Sequence, residues 1–444
     1  MSRTVRSARP IPSGVLASWR AFGGPRYRPF QGVGLGSAAV FALAGDSLTI
    51  PLLLVWGTHP ALATFIGLLP TTGSAAQLLV PGLLRRVDGN LRGVTTMFLA
   101  LGETRGLWLC LCCAATAGGL IPVGLGIAGV AAVMALAGAC QAIGATNLQA
   151  WYGAVLPEGE RRLVAPRVTG ISQGLGALLL FPAALLVDAA SPSLGTIVYA
   201  LVFLVGGAAS LFELAAVFQL PSPGRVRVAA RGSQAPPAPN LERFIGIIRA
   251  AAFGSGFGPY LSVYAISVLH EPAGFAIVLS ALSALASLVA STFVGGYLAR
   301  GSSSRMLRIS FLLRGGAMLF GLGAVPGTPL APLVLCLVAV VVAAGAAAGT
   351  IAANERLLRL AGLSGLIDAQ GRYVAANATG VTVGQSLNAT ILAVSPVGYV
   401  PFAMLFLVSG LVRLGTALRL EVSAAFSSGT GIWGPDELGP EGRA

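Results

Sequence analysis

The chain has 444 residues, of which 55% are hydrophobic and only 10% charged, and its mean hydropathy is +0.83. This composition excludes an ordinary soluble protein and indicates an integral membrane protein. A formal net charge of +13 would suggest a nucleic-acid partner in a soluble chain. Here every basic residue is Arg, and these residues cluster in short connectors between apolar runs, which indicates membrane topology and no nucleic-acid partner.

The N-terminal 30 residues carry six Arg but no apolar core of a signal peptide, so we expect the first span to act as the insertion signal. Since about 20 apolar residues cross the hydrocarbon core, the sequence predicts twelve spans. Their approximate limits are 33–56, 60–84, 94–116, 121–148, 168–187, 195–219, 244–268, 273–298, 306–325, 329–353, 374–394 and 397–418.

A stretch rich in Pro, Ser, Gly and Arg, from Pro221 to Asn240, divides the spans into six and six and reads as a flexible linker. The predicted organisation is an N-terminal segment (1–32), a six-helix bundle (33–220), a linker (221–243), a second six-helix bundle (244–420) and a tail (421–444) that we expect to be disordered.

The two halves repeat each other. Residues 161–170, RRLVAPRVTG, are echoed by residues 371–380, GRYVAANATG. Four further matches have offsets of 207 to 214 residues: Asn147 with Asn354, Arg105 with Arg314, Gly82 with Gly296, and His59 with His270. The chain is therefore interpreted as a duplicated unit of about half its length.

Arginines also predict the orientation. If both termini are cytoplasmic, every Arg-rich connector is cytoplasmic, whereas the opposite connectors, such as 57–60, 188–194 and 269–273, hold no Arg. This distribution satisfies the positive-inside rule. We expect a multi-pass protein of the cytoplasmic membrane with both ends inside.

Two six-span halves joined by a linker resemble the major facilitator superfamily of secondary transporters, and we identify the chain with its efflux-permease type. The connector after the second span, GLLRRVDGNLR at 82–92, is similar to that family's signature loop, and GYLARG at 296–301 is a fainter copy. The signature-loop candidates are Gly82, Arg86, Asp88, Gly89, Arg92, Gly296 and Arg300. The resemblance implies an all-α membrane fold of twelve helices in two pseudo-symmetric halves.

The chain also departs from this family. Arg86 and Arg300 stand where the signature loop of the family has an acid, which pairs there with basic residues and a helix end. Asp88 is the candidate substitute for that acid in this chain. The fifth span lacks the Gly-Pro-x-x-Gly-Gly pattern of drug/proton antiporters, so antiport is not supported by motif.

Ionisable side chains at membrane depth are costly, about 2.5–3.5 kcal/mol on insertion scales, and usually face a cavity or a partner. The candidates for substrate binding or ion coupling are Asp46, Glu103, Arg105, Glu213 and Arg314. Glu103 is two positions from Arg105 and lies on a different face of a helix, so Asp46 or Glu213 is the expected partner of Arg105. The alternative for Arg105 and Arg314 is snorkelling to water from the ends of their spans.

Uncharged polar residues complete the candidate set. Gln141, Gln385 and Asn388 lie within spans, where such residues either join helices or line a cavity. Tyr260 and Tyr264 share one helix face and could stack on a substrate or anchor the helix at the interface. The five Cys lie in apolar runs without metal or disulfide spacing, and we expect no metal and no cofactor.

The leading hypothesis is a secondary transporter that moves a small molecule by alternating access between its halves. We expect an exporter, with a single titrating carboxylate for any proton coupling, acting as a monomer in the bilayer. The chain has no Lys, which excludes an ATP-binding P-loop. Alternatives from other classes are a flippase for lipids or lipid-linked substrates, a membrane-embedded transferase and a sensor without transport activity.

Overall fold

The structure is a computed structural model that describes residues 22–156, 158–223, 239–254, 258–298, 302–361 and 366–427. All regular elements in these ranges are helical. The N-terminal half contains α1 (Arg28–Leu43), α2 (Asp46–Val55), α3 (Pro60–Gly73), α4 (Val80–Arg86), α5 (Leu91–Glu103), α6 (Arg105–Ala117), α7 (Val123–Val155), α8 (Glu158–Leu194) and α9 (Ile197–Phe218).

The described residues of the C-terminal half form seven further helices. They are α10 (Pro239–Phe253), α11 (Gly258–Ser267), α12 (Ala273–Leu298), α13 (Ser303–Phe320), α14 (Ala331–Ala361), α15 (Leu366–Val394) and α16 (Tyr399–Ser427). Short 3-10 turns flank α1, join α3 to α4 and follow α13.

Ten helical segments of the described chain are long and apolar enough to cross a membrane. The seventh and eleventh predicted spans are not among these ten segments. The seventh comprises α10 and α11, and residues 255–257 between them lie outside the described residues. The eleventh, α15, is 29 residues long but carries several amide and hydroxyl side chains. The architecture is the predicted all-α membrane fold of two six-helix halves.

Several predicted boundaries move. Helix α16 continues to Ser427, so residues 421–427 are helical where a disordered tail was predicted. Helix α8 continues to Leu194, so Asp188 belongs to a helix and not to a connector. Helix α10 begins at Pro239, inside the predicted linker. Residues 224–238 of the linker, Arg300 and residues 428–444 lie outside the described residues.

Glycines set the closest helix contacts. A Cβ atom at Gly106 of α6 would lie 2.5 Å from the backbone nitrogen of Gly207 in α9, and one at Gly102 of α5 would lie 2.7 Å from the nitrogen of Gln141 in α7. Helix association within a bilayer depends on such close packing, because lipid tails are as apolar as leucine. The Ala- and Gly-rich composition thus becomes a tightly packed bundle.

The two halves share buried apolar clusters at one end of the bundle. We call the end that carries the Arg-rich connectors the Arg-rich end, and the opposite one the Arg-poor end. At the Arg-poor end, one buried cluster combines Leu180 and Val187 with Ile277, and another combines Ile50 with Tyr264. The clusters at the Arg-rich end each draw their buried residues from a single half. Apolar packing therefore seals the Arg-poor end between the halves.

Candidate functional site

The first span is interrupted near its middle. Helix α1 ends at Leu43, Gly45 has an extended backbone (φ −100°, ψ −173°), and α2 begins at Asp46. A Cβ atom at Gly45 would collide with the carbonyl oxygen of Phe41, so the residue type is required by the close approach. Interrupted membrane helices place free backbone groups and helix termini at membrane depth, where they serve as binding sites.

Asp46 occupies the first position of α2, at this interruption. Its Oδ1 accepts a hydrogen bond from the backbone nitrogen of Ser47 at 3.0 Å. An acidic side chain is favourable there because the helix N-terminus carries a partial positive charge. Asp46 is half-buried, unlike the fully buried acids described below.

A second interruption brings Glu103 and Arg105 together. Helix α5 ends at Glu103, Thr104 adopts φ −70° and ψ 3°, and α6 begins at Arg105. The side chain of Gln141 in α7 bonds to both residues. Its Oε1 accepts from Arg105 Nη1 at 2.6 Å, and its Nε2 donates to Glu103 Oε1 at 2.9 Å.

Arg105 is the centre of this cluster. The residue is only 2% exposed. Its Nη2 donates to the carbonyl oxygen of Val40 at 3.4 Å, and its guanidinium lies 5.0 Å from the centre of the Phe41 ring. Both contacts tie α6 to the end of α1, next to the interruption at Gly45.

Three carboxyl groups act on this one guanidinium. Glu103, Asp46 and Glu213 all lie close enough to Arg105 for charge interaction. Glu213 is 2% exposed, and Glu103 1%. Among the described residues, neither Glu103 Oε2 nor Glu213 Oε2 has a hydrogen-bond partner. We call Asp46, Glu103, Arg105 and Glu213 the acidic cluster. It contains three carboxyl groups and one guanidinium inside the N-terminal half.

Two expectations about this cluster are wrong. Glu103 is not a poor partner for Arg105, because the helix breaks between them and Gln141 bonds to both. Arg105 does not snorkel to water, since it is buried 14 residues into the span Leu91–Ala117. Asp46 and Glu213 lie within charge range of Arg105, but neither forms an ion pair with it among the described residues, so the expected pairing with one of them stays a prediction.

The candidates of the C-terminal half do not converge in this way. The Tyr260 hydroxyl donates to the carbonyl oxygen of Gln385 at 3.1 Å, and the Tyr264 hydroxyl donates to that of Ala324. Both tyrosines are fully buried, so interfacial anchoring is wrong for them in this conformation. Gln385 is also buried, and its Oε1 has no partner among the described residues.

Arg314 and Asn388 also lie in this half. Arg314 is in the middle of α13, half-buried, with its side chain against Gly345 of α14 and within charge range of Tyr373. It is therefore not at the end of its span, contrary to the snorkelling alternative. Asn388 is 8% exposed on α15.

The signature-loop residues form a turn at the Arg-rich end. Gly82 and Arg86 belong to α4, and Asp88 (φ 51°) and Gly89 (φ 71°) form the turn that follows. Arg92 Nη2 donates to the carbonyl oxygen of Phe218 at 2.9 Å, which ties the turn to the end of α9. Asp88 is exposed and makes no ion pair within the described chain, so the structure gives no support to its substituting for the family acid.

The corresponding loop of the second half is only partly within the described residues. Gly296 belongs to α12, and Arg300 lies outside the described residues. The pairing roles predicted for these positions therefore stay predictions.

Sequence reasoning missed two polar residues. Arg413 in α16 is 0% exposed, although it stands only five residues before the predicted end of the last span, where Arg usually reaches water. Asp188 was assigned to a connector, yet its Oδ1 accepts from the backbone nitrogen of Gly274 at 2.8 Å and so joins α8 to the N-terminus of α12. The rule that ionisable residues in apolar runs are costly would have found Arg413 if applied to the last turns as well.

No protein-family model matches the chain, and no curated protein matches it in sequence. Its fold is similar to the crystal structures of the nucleoside transporter NupG (TM-score 0.57, covering 90% of this chain and 99% of that one) and of a point mutant of NupG (0.62, 89% and 98%). It is also similar to a bacterial homologue of the iron transporter ferroportin in an inward-facing state (0.60, 88% and 98%). Each is 13% identical to this chain. At that identity the likeness shows the fold alone, an all-α membrane fold shared with these transporters, as predicted.

Proposed function

We propose that the protein is a secondary active transporter that moves a small molecule across the cytoplasmic membrane by alternating access. The observation that carries this proposal is the acidic cluster: three carboxyl groups and one guanidinium, in the interior of a six-helix bundle, beside the interruption of the first span. Buried ionisable groups at membrane depth are costly and mark substrate or proton pathways.

The similar structures support solute transport without naming a solute. One is a nucleoside transporter and another is a homologue of an iron transporter, so this fold carries chemically unrelated substrates. The substrate must therefore be argued from this chain's own side chains.

The conformation supports alternating access. The apolar clusters at the Arg-poor end contain residues of both halves, whereas those at the Arg-rich end do not. With the Arg-rich end placed in the cytoplasm by the positive-inside rule, this is an arrangement closed to the outside. Rocking of the halves about the centre would exchange one seal for the other.

Proton coupling follows from the charge balance of the acidic cluster. With all groups ionised, three carboxylates against one guanidinium leave an excess negative charge in a medium of low dielectric constant. The cluster therefore has a place for a proton, and half-buried Asp46 is the group through which that proton exchanges with the cavity. Coupling to an inward proton gradient would drive export, which is the direction we propose.

The test is proton movement in proteoliposomes that contain the purified protein, while apolar, cationic and anionic compounds are offered in turn. We expect substrate-dependent proton flux in the wild type and its loss in Asp46→Asn. The matched control is Asp88→Asn, which makes the same change at an exposed turn and should leave the flux unchanged.

Each outcome assigns a mechanism. Flux that survives in Asp46→Asn but is lost in Glu103→Gln or Glu213→Gln would move the coupling role to that residue. Solute uptake without proton movement would indicate a uniporter, and movement of labelled lipid alone would indicate a flippase. If no compound or lipid moves in correctly inserted protein, the transporter proposal is wrong.

A further inference from the structure

Arg413 is a buried cation with most of its hydrogen-bonding capacity unused. The residue is 0% exposed. Its Nε donates to the carbonyl oxygen of Gly254 at 2.8 Å, but neither Nη1 nor Nη2 has a partner within the described part of the chain. A guanidinium offers five N–H donors and is always charged in proteins. Four of those donors are thus buried without an acceptor.

The N-terminal half shows how this fold otherwise treats such a group. Arg105 is also buried, but both of its Nη atoms donate hydrogen bonds and three carboxyl groups surround it. For Arg413 the one charged group found to act on it within the described residues is Arg314, which has the same sign. An unpaired buried charge is expensive, and a like charge beside it adds to the cost.

Arg413 lies beside the C-terminal end of α10. Gly254, whose carbonyl oxygen it binds, follows the last residue of α10, and Ser409 Oγ donates to the same oxygen at 2.6 Å. Helix α11 begins four residues later, at Gly258. The first span is interrupted at the equivalent place, after Leu43, where Asp46 stands. Arg105 donates to Val40 near the end of α1 much as Arg413 donates to Gly254 after α10, but among the described residues an acid, Asp46, stands only at the N-terminal position.

We propose that the C-terminal half contains an anion-binding site in which the two Nη groups of Arg413 hold a carboxylate, a phosphate group or an inorganic anion. A planar guanidinium binds two oxygens of one carboxylate or phosphate in parallel, which fits the free pair of Nη atoms. Where the anion is part of the transported solute, the inference rests on the proposed function and names its substrate class, an anionic small molecule.

Binding at this site requires a movement of helices. Arg413 is closed off in this conformation, so an anion reaches it only when α10 and α16 separate locally. Anion binding is therefore coupled to a rearrangement of α16 relative to the end of α10.

The first experiment measures binding without transport. Thermal unfolding of the detergent-purified protein is followed in a zwitterionic buffer without added salt, while sodium chloride, sodium phosphate or sodium benzoate is added. We expect a saturable rise in Tm with at least one anion, because a ligand that binds only the folded state stabilises it. In Arg413→Gln the apparent Kd should be weaker by about 10- to 100-fold, since charge-assisted hydrogen bonds are lost.

Three variants separate this site from a structural role. Arg413→Gln without anions should unfold no earlier than the wild type, because it removes an unpaired buried charge. Ser409→Ala loosens the same carbonyl contact but leaves the guanidinium, and it should keep the anion response. Arg419→Gln removes an exposed Arg of the same helix and should also keep it. If Arg413→Gln does not fold, Arg413→Lys keeps the charge without the planar pair of donors and should weaken binding by about 10-fold.

Equal anion responses in the wild type and in Arg413→Gln, or an equal loss in Arg419→Gln, would overturn the site. Flux assays then identify the source of the anion. If it belongs to the solute, Arg413→Gln abolishes transport of anionic compounds only. If it is inorganic, the transport of every solute depends on chloride or phosphate in the wild type. Anion binding to a protein that moves no compound would support the site and refute the proposed function.

Discussion

Gln141 offers the sharpest test of the acidic cluster, because one neutral side chain holds two charged ones. Replacing it with Leu removes the bonds to Arg105 (2.6 Å) and Glu103 (2.9 Å) while keeping a similar volume. Hydrogen bonds to charged groups are worth about 1.5–3 kcal/mol each, and unsatisfied buried partners remain, so we expect a loss of about 3–6 kcal/mol in the free energy of unfolding.

The chain supplies a matched control for this substitution. Gln385 is also buried, at 3% exposure against 8% for Gln141, but its Oε1 has no hydrogen-bond partner among the described residues. Gln385→Leu removes an unsatisfied polar group and should change stability by no more than about 1 kcal/mol, with either sign.

Reversible unfolding in mixed micelles of SDS and a mild detergent gives both free energies under the same conditions. The reasoning would be refuted if Gln141→Leu and Gln385→Leu changed stability by the same amount. It would also fail if Gln141→Leu lost stability but the double variant Gln141→Leu, Glu103→Gln lost the sum of the single effects, because residues in one hydrogen-bonded network are not additive.

Two further predictions concern helix packing and the seal between the halves. Gly106→Ala places a Cβ 2.5 Å from the backbone of α9 and should lower Tm in detergent. The control Gly316→Ala has no atom within 4 Å of the new Cβ and should not lower Tm. Equal shifts in Tm would contradict the packing argument. Asp188→Ala removes the contact with Gly274 at the Arg-poor end, so cysteines placed at that end should react faster with a membrane-impermeant thiol reagent. An unchanged rate in Asp188→Ala would show that apolar packing alone maintains the seal.

The sequence was sufficient for the fold because the membrane restricts the alternatives. Every backbone polar group must be satisfied within the bilayer, so an apolar run of adequate length becomes a helix. The repeat of Arg105 as Arg314 and of Asn147 as Asn354 then divided the helices into two equivalent halves. The high cost of buried charge likewise identified Asp46, Glu103 and Glu213 as unusual before their positions were known.

Tertiary structure decided which of these residues meet. Gln141 is 36 residues from Arg105 and 38 from Glu103, and only the packing of α7 against α5 and α6 brings its amide between them. The break at Gly45 cannot be recognised from the sequence, because Gly45 is one of 60 glycines. The break at Thr104 carries neither Gly nor Pro to indicate it. An uninterrupted helix would have kept Glu103 and Arg105 on different faces.

The asymmetry between the halves also depended on the three-dimensional structure. Sequence position placed Arg413 near water, but α16 extends past the predicted end of its span and packs this residue against the end of α10. Composition and hydropathy thus determined the all-α membrane fold and the approximate positions of its spans, because the bilayer acts on each helix separately. The partners of each buried charge were decided by contacts between helices distant in the chain, and hydropathy carries no information about those contacts.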